Sequence, residues 1–356
     1  MKMTNHDITL QRLRQQHLAT PEFKKPADLV RWMGAVQAQD YSAAKWAVGQ
    51  RLKTATEARL DEALDKWEII RTHIMRPTWH FVAPEDLRWI QQLTAPRVKK
   101  LMVYNDNQWG LDTRIIHRSH KLLEKILRDK QQLTRYQIAP LLKEEGIPTD
   151  EYRIGSLLAH AELDGIICSG PRHGKQFSYV LIDEHVPPAK PRSKPEALAE
   201  LALRYFSSHG PAQLQDFAWW SGLTVTESKA GLDAVKDQLA EMTIEGISYW
   251  TAPGKRRQTS TAEVKLLSAF DEFNVGYKKR DLQQLLLKKE LAPMESLGYL
   301  IVTDGQITGT WKRTIKTKHI EVTCKHLLPL KKSDIPALSA AIEHYSLFTG
   351  MPVQLK

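Results

Sequence analysis

Two glutamines, Gln37 and Gln39, flank one alanine in the segment Ala35-Val36-Gln37-Ala38-Gln39-Asp40-Tyr41. Side chains at i and i+2 diverge on a helix, but on an extended or turning segment they leave on the same side, so two amides can aim at one spot. A neutral amide offers a carbonyl acceptor and two N–H donors, and a pair of them can orient a water molecule without titrating. Asp40 adds a carboxylate beside them, fit to act as a base or to cap a helix. Taken alone, the pair reads more readily as the end of a helix whose amides cap free carbonyls.

Further candidates lie downstream. Arg71, His73, Arg76 and His80 line or flank two β-rich runs, Ile69 to Met75 and Thr78 to Val82. Arg172, His173 and Lys175 sit in a glycine-containing stretch between Ile166-Ile167-Cys168 and Phe177 to Leu181, a basic hairpin tip suited to phosphates. Asp271 and Glu272 could serve as catalytic carboxylates, but a sequential acidic pair beside aromatic residues is more often structural. His117 and His120 share a helix face without a third ligand at suitable spacing, so no metal is expected. No Gly-x-x-x-x-Gly-Lys-Ser/Thr loop and no Gly-x-Gly-x-x-Gly fingerprint occurs, which removes support for nucleotide hydrolysis or dinucleotide redox chemistry.

The elements that must position these residues follow a repeating pattern. Pro26 opens a helix with Leu29, Val30, Met33 and Val36 on its apolar face, and this helix is expected to deliver Gln37. With a basic helix from Asp7 to Arg14 ahead of the Pro26 helix, Ser42 is expected to cap a third and Thr56-Glu57-Ala58-Arg59 to open a fourth, before the first hairpin. Helices are then expected over 113–129, over 135–145 ending at Gly146, and from Asp150, capped by Thr149, to Leu163 ahead of the basic hairpin. Val186 to Pro195 is too rich in proline for helix or sheet and reads as a linker. Helices recur after it, over 196–208, from a start at Pro211 to Trp220, and from a Thr226 cap to Met242, with a strand over 246–250. The expected class is mainly α with small β-sheets (α+β): tandem winged helix-turn-helix modules over residues 1–110, 111–185 and 186–255, the last including the linker. A small β subdomain and a closing helix from Pro336 complete residues 256–356.

Bulk composition constrains the partner. Lys and Arg number 51 against 41 Asp and Glu, a formal charge of +10, which favours a polyanion. No apolar run approaches the roughly 18 residues that span a bilayer, and no apolar stretch follows Met1 to Asp7, so an unexported cytoplasmic protein is expected, with no membrane partner. The only cysteines, Cys168 and Cys324, form neither a zinc-finger pattern nor a disulfide framework.

Several of these stretches carry a resemblance to the AlkZ-like and YcaQ-like bacterial DNA glycosylases: Gln37 to Tyr41, Arg71 to Val82, Gly174-Lys175-Gln176, Asp216 to Leu223, Leu266 to Arg280 and Gly309 to Arg313. The Gln-x-Gln pair resembles the AlkZ branch, and the Gln-x-Asp pattern of the sister branch is absent. The resemblance implies catalysis through Gln37 and Gln39, with excision of N7- or N3-alkylated purines and Asp40 as a candidate supporting base; the chain shows no Lys-centred helix-hairpin-helix signature, so a monofunctional enzyme is expected. Bulky adducts and interstrand crosslinks fall within the same chemistry. Double-stranded DNA at the nucleoid is the expected partner, no cofactor is expected, and tandem modules in one chain suit a monomer. Arg71, His73, Arg76, Arg172, His173 and Lys175 are the expected DNA-binding residues. The rival reading is a winged-helix transcription regulator that binds DNA and catalyses nothing.

Overall fold

The computed structural model describes residues 4–254, 263–287 and 291–356. Residues 1–3 and the boundary expected at 255/256 lie outside the described residues. Helix α1 (Asn5–Gln15) starts from a reciprocal cap between Thr4 and Asp7, and α2 (Pro26–Met33) has proline in its first turn and buries Leu29, Val30 and Met33. This second helix stops short of the glutamines, contrary to the sequence expectation. Gly34 takes φ +78°, a left-handed conformation that breaks the helix, and Val36–Gln37 form a short strand, β1.

Helix α3 (Tyr41–Gly49) is capped by Asp40, which accepts the Ala43 N–H at 3.0 Å, and not by Ser42. Helix α4 (Glu57–Asp65) is capped by Thr56 as expected, and the hairpin of β2 (Ile70–His73) and β3 (Trp79–Val82) follows. Register explains how this hairpin serves two masters. Val36 pairs with Phe81 and Gln37 with His80, so along a strand of period two Val36 and Phe81 face one way and Gln37 and His80 the other. Phe81 joins Ile69, Val36 and Trp46 in a core shared with Leu266, Trp311, Tyr345 and Phe348. Ile70 and Val82 join a second core containing Leu201, Tyr205, Phe217, Trp220 and Tyr277.

Helix α5 (Pro84–Gln108) was not legible as a periodic element. Pro96 lies inside it, and Leu101, Val103 and Tyr104 near its C-terminal end are exposed, which blurs the apolar stripe. After it come α6 (Thr113–Ile126), the short strand β4 (Leu133–Thr134), α7 (Arg135–Glu144) and α8 (Glu151–Leu163), with Asp150 as the cap of α8 in place of Thr149. These pack around Leu123, Ile138, Leu142 and Leu157, and the hairpin β5 (Ile167–His173) and β6 (Gln176–Leu181) closes the unit. Its strands join the first hairpin in one six-stranded sheet ordered β1-β3-β2-β5-β6-β4, with Arg71 opposite Ser169 at the seam.

A one-turn helix, α9 (Ile182–His185), precedes the proline-rich linker, and α10 (Lys194–His209) starts from a Ser193–Glu196 cap. Helix α11 (Leu214–Ser221) begins later than expected because Ala212 is in a β-bridge with Trp250, leaving Gln213 and Asp216 to form the cap. Helix α12 (Val225–Val235) starts from Thr224, since Glu227 stands three residues on and closes a capping box there, and not from Thr226. It also ends earlier, because Glu245-Gly246, both at positive φ, turn 240–251 into the hairpin β7 (Ala240–Ile244) and β8 (Ile247–Thr251).

The C-terminal part holds β9 (Val264–Leu267), the one-turn helices α13 (Glu272–Val275) and α14 (Pro293–Ser296), β10 (Leu300–Thr303), β11 (Gln306–Ile315), β12 (Ile320–His326), α15 (Asp334–Thr349) and β13 (Val353–Leu355). Its five strands form one sheet in the order β13-β12-β11-β10-β9. Among the described residues, no helix is long and apolar enough to cross a membrane.

Candidate active site

Gln37 is held at two points. Its backbone N–H donates to Glu272 Oε1 at 2.7 Å, and its side-chain Oε1 accepts from Arg76 Nη2 at 2.9 Å. Arg76 Nη2 also reaches His80 Nε2 at 3.3 Å, and because a guanidinium only donates, that nitrogen is the acceptor and Nδ1–H donates to the Thr78 carbonyl at 3.0 Å. Burial, reinforced by the Arg76 charge, pushes His80 down to about 3, so it is neutral at physiological pH.

Glu272 has no exposed surface, yet it stays charged. Burial works against its ionisation, but His209, Arg76 and the Gln37 N–H outweigh that and bring its carboxyl down to about 2. Its Oε2 accepts from the Trp220 indole N–H at 3.0 Å and lies 3.4 Å from His209 Nε2.

Of these groups Gln37, Arg76 and Thr78 border a cleft of about 500 Å³, which Met75, Leu101, Trp219 and Phe270 also line. Its wall is mostly apolar, and the Trp219 indole N–H is fixed to the Val275 carbonyl at 3.2 Å. At the rim, Gly222 has φ +70° and a Cβ there would come within 2.0 Å of the Met75 carbonyl oxygen. Only glycine lets the end of α11 approach the β2–β3 turn so closely. With its carbonyl engaged by Arg76, the Gln37 amide keeps its N–H donors for a molecule entering the cleft.

The other sequence candidates fall around this point in different ways. Gln39 is exposed, and its side chain makes no hydrogen bond among the described residues. Asp40 is occupied as the cap of α3. Tyr41 donates its hydroxyl to Asp61 at 2.7 Å and meets Phe177 edge to face, and the Arg172 guanidinium lies 5.2 Å from the Tyr41 ring. The β5–β6 hairpin is thereby laid against the segment that follows the glutamines, with Arg172, His173 and Lys175 all exposed.

Arg71 and His73, by contrast, turn inward. Arg71 donates to the Ala38 carbonyl at 3.2 Å and Ser169 Oγ at 3.3 Å and is sandwiched between Trp79 and Phe177; burial brings it down to about 10. His73 is paired with the buried Glu162. Sequence reading undervalued Glu272 and missed His209 and Trp220 as parts of the site, since nothing in their spacing connects them with Gln37. His117 and His120 stand with ring centroids 6.2 Å apart, and no group of His, Cys, Asp or Glu able to hold a metal occurs among the described residues.

Known proteins resemble the chain along most of its length. The chain is 22% identical over 329 residues to an interstrand DNA cross-link repair glycosylase of Streptomyces sahachiroi, covering 88% of each sequence. The solved structure of the Streptomyces sahachiroi DNA glycosylase AlkZ matches with a TM-score of 0.80 at 21% identity over 100% of both chains, a likeness of fold. A family model described as DNA glycosylase AlkZ-like matches residues 30–348, and the chain therefore belongs to the AlkZ-like family of DNA glycosylases.

Proposed function

We propose that this DNA glycosylase hydrolyses the N-glycosidic bond of N7- or N3-alkylated purines in double-stranded DNA, including purines tied into bulky adducts or interstrand crosslinks, using water positioned by Gln37 and Gln39. The observation that carries the reading is the doubly tied Gln37 at a mostly apolar cleft, beside an exposed basic hairpin. The relative's name, which specifies cross-link repair, supports the larger lesions.

The chemistry suits neutral amides. An alkylated purine is already cationic, so the C1′–N bond breaks with its electron pair moving to the base, which leaves neutral without a proton donor. The demanding part is the oxocarbenium-like sugar and the placement of water at C1′. Amide dipoles that orient the water and face the developing charge act through positioning and electrostatics. Asp40 is a capping residue first, and any base role for it competes with its bond to the Ala43 N–H.

Each helical set followed by a hairpin is read as a winged-helix module, and a single chain carrying three of them suits a monomer enclosing one duplex site. The test is incubation with duplexes bearing N7-methylguanine, N3-methyladenine or a crosslink. A monofunctional enzyme leaves abasic sites that cleave only after alkali. Cleavage without alkali would indicate a lyase step, and no cleavage on any lesion would remove the reading.

A further inference from the structure

Asp271 and Glu272 are adjacent, both buried, and differently employed. Asp271 is accounted for by the fold: its oxygens take Arg51 Nη2 at 2.6 Å, Arg51 Nη1 at 2.9 Å and Gln50 Nε2 at 3.0 Å, and it caps α13. Glu272 spends one oxygen on the main chain of Gln37, a residue 235 positions away. Strand β1 stands at the edge of its sheet, and an edge strand leaves backbone groups without a ladder partner. At Gln37 the missing strand is replaced by a carboxylate. That bond is charge-assisted, and its other oxygen is anchored by the Trp220 indole, so a two-residue strand acquires a fixed position.

We propose that Glu272 is a positioning residue for the glycosylase reaction: by holding the Gln37 N–H while Arg76 holds the Gln37 side-chain carbonyl, it fixes where the amide donors point in the cleft. This inference rests on the reading of Gln37 as catalytic. A buried carboxylate that accepts from the Gln37 N–H on one oxygen and the Trp220 indole N–H on the other cannot be replaced by an amide without its NH2 meeting one of these N–H groups, so Glu272→Gln disturbs the pair of contacts while keeping the volume.

The experiment is single-turnover excision of N7-methylguanine by the full chain, with duplex affinity measured alongside. Glu272→Gln is expected to lower the excision rate by about ten-fold or more, since sub-ångström displacement of a reacting group is costly. Duplex affinity should stay within about two-fold, because Glu272 touches no exposed surface and offers nothing to a phosphate. In protein labelled with ¹⁵N-glutamine, the downfield amide resonance of Gln37 should move upfield in the variant. Added to Gln37→Ala, the substitution should cost little more, as expected for residues acting as one unit.

A parental excision rate in folded Glu272→Gln, or a full additional loss on top of Gln37→Ala, overturns the inference. Should Glu272→Gln fail to fold, Trp220→Phe removes one anchor of the carboxylate and is expected to slow excision about three-fold at unchanged affinity, judged by the same logic of a loosened positioned group; no change overturns the proposal. If the parent excises nothing, the catalytic reading of Gln37 falls by itself, while a Gln37 resonance unmoved in Glu272→Gln removes the contact independently.

Discussion

At the scale of single residues, the site combines neutral groups, Gln37 and His80, with two charges, the buried Glu272 and the part-buried Arg76. His80 has its Nε2 facing the Arg76 guanidinium and its acidity pushed to about 3, so the folded protein leaves it unprotonated where an unfolded chain would protonate it. Folded His80 binds fewer protons than unfolded His80 between about pH 6.5 and 3, so stability is present above that window and is lost as pH falls through it. The slope approaches ~1.4 kcal/mol per pH unit for one proton. Thermal melts at pH 7.5, 6.5 and 5.5 should show the decline, and His80→Gln should flatten it; equal pH dependence in the two proteins would contradict the assignment. The glutamine pair stands out by residue type and spacing, but taken alone it reads more readily as a helix end, and the structure places Gln37 on the cleft and leaves Gln39 exposed. Glu272 was visible but read as structural, because its partners His209, Trp220 and Gln37 are separated from it along the chain by anything from 52 to 235 residues.

At the scale of elements, hairpins were read from β-branched runs and turn residues, and the structure has strands at both of the hairpins that flank the site. Helix ends were less legible. The start of α12 passed to Thr224 through Glu227, and α2 stopped at Gly34, because a cap is decided by which side chain reaches a free N–H and by a single positive φ. Helix α5 escaped because its exposed Leu101 and Tyr104 break the amphipathic pattern. The β5–β6 hairpin carries its own prediction. Arg172 and Lys175 are exposed beside the glutamine segment, so replacing both by alanine should weaken binding to all duplex sequences alike and reduce the salt slope by about 0.9 per lost phosphate contact. An unchanged slope takes the hairpin out of the interface, and a loss confined to one sequence points to base reading and a regulator.

At the scale of the whole molecule, the site depends on the C-terminal part being seated against the N-terminal part. Arg51 and Asp271, each 1% exposed, form a bidentate pair across that junction, next to Glu272. Replacing Arg51 by Met leaves a buried carboxylate without its counter-charge and should cost about 3–5 kcal/mol in urea unfolding. A cost near zero would mean that the two parts hold together without it. The α+β character and the repetition of helices followed by a hairpin were readable from local signals, whereas the shared sheet and the cores that cross the expected module boundaries were not, since pairing Arg71 with Ser169 or packing Trp46 on Tyr345 leaves no local trace.

In the proposed reaction, placement of the water turns on Gln37 and Gln39. The measurement that tests it most directly is single-turnover excision of N7-methylguanine by the Gln37→Ala/Gln39→Ala double variant, beside the parent and with duplex affinity recorded for both. Loss of positioned polar groups should lower the rate by ~10²–10³ while affinity stays nearly unchanged, since neither residue supplies phosphate charge. Excision at the parental rate by the double variant, with its fold intact, would contradict the account and return the two glutamines to a purely structural role.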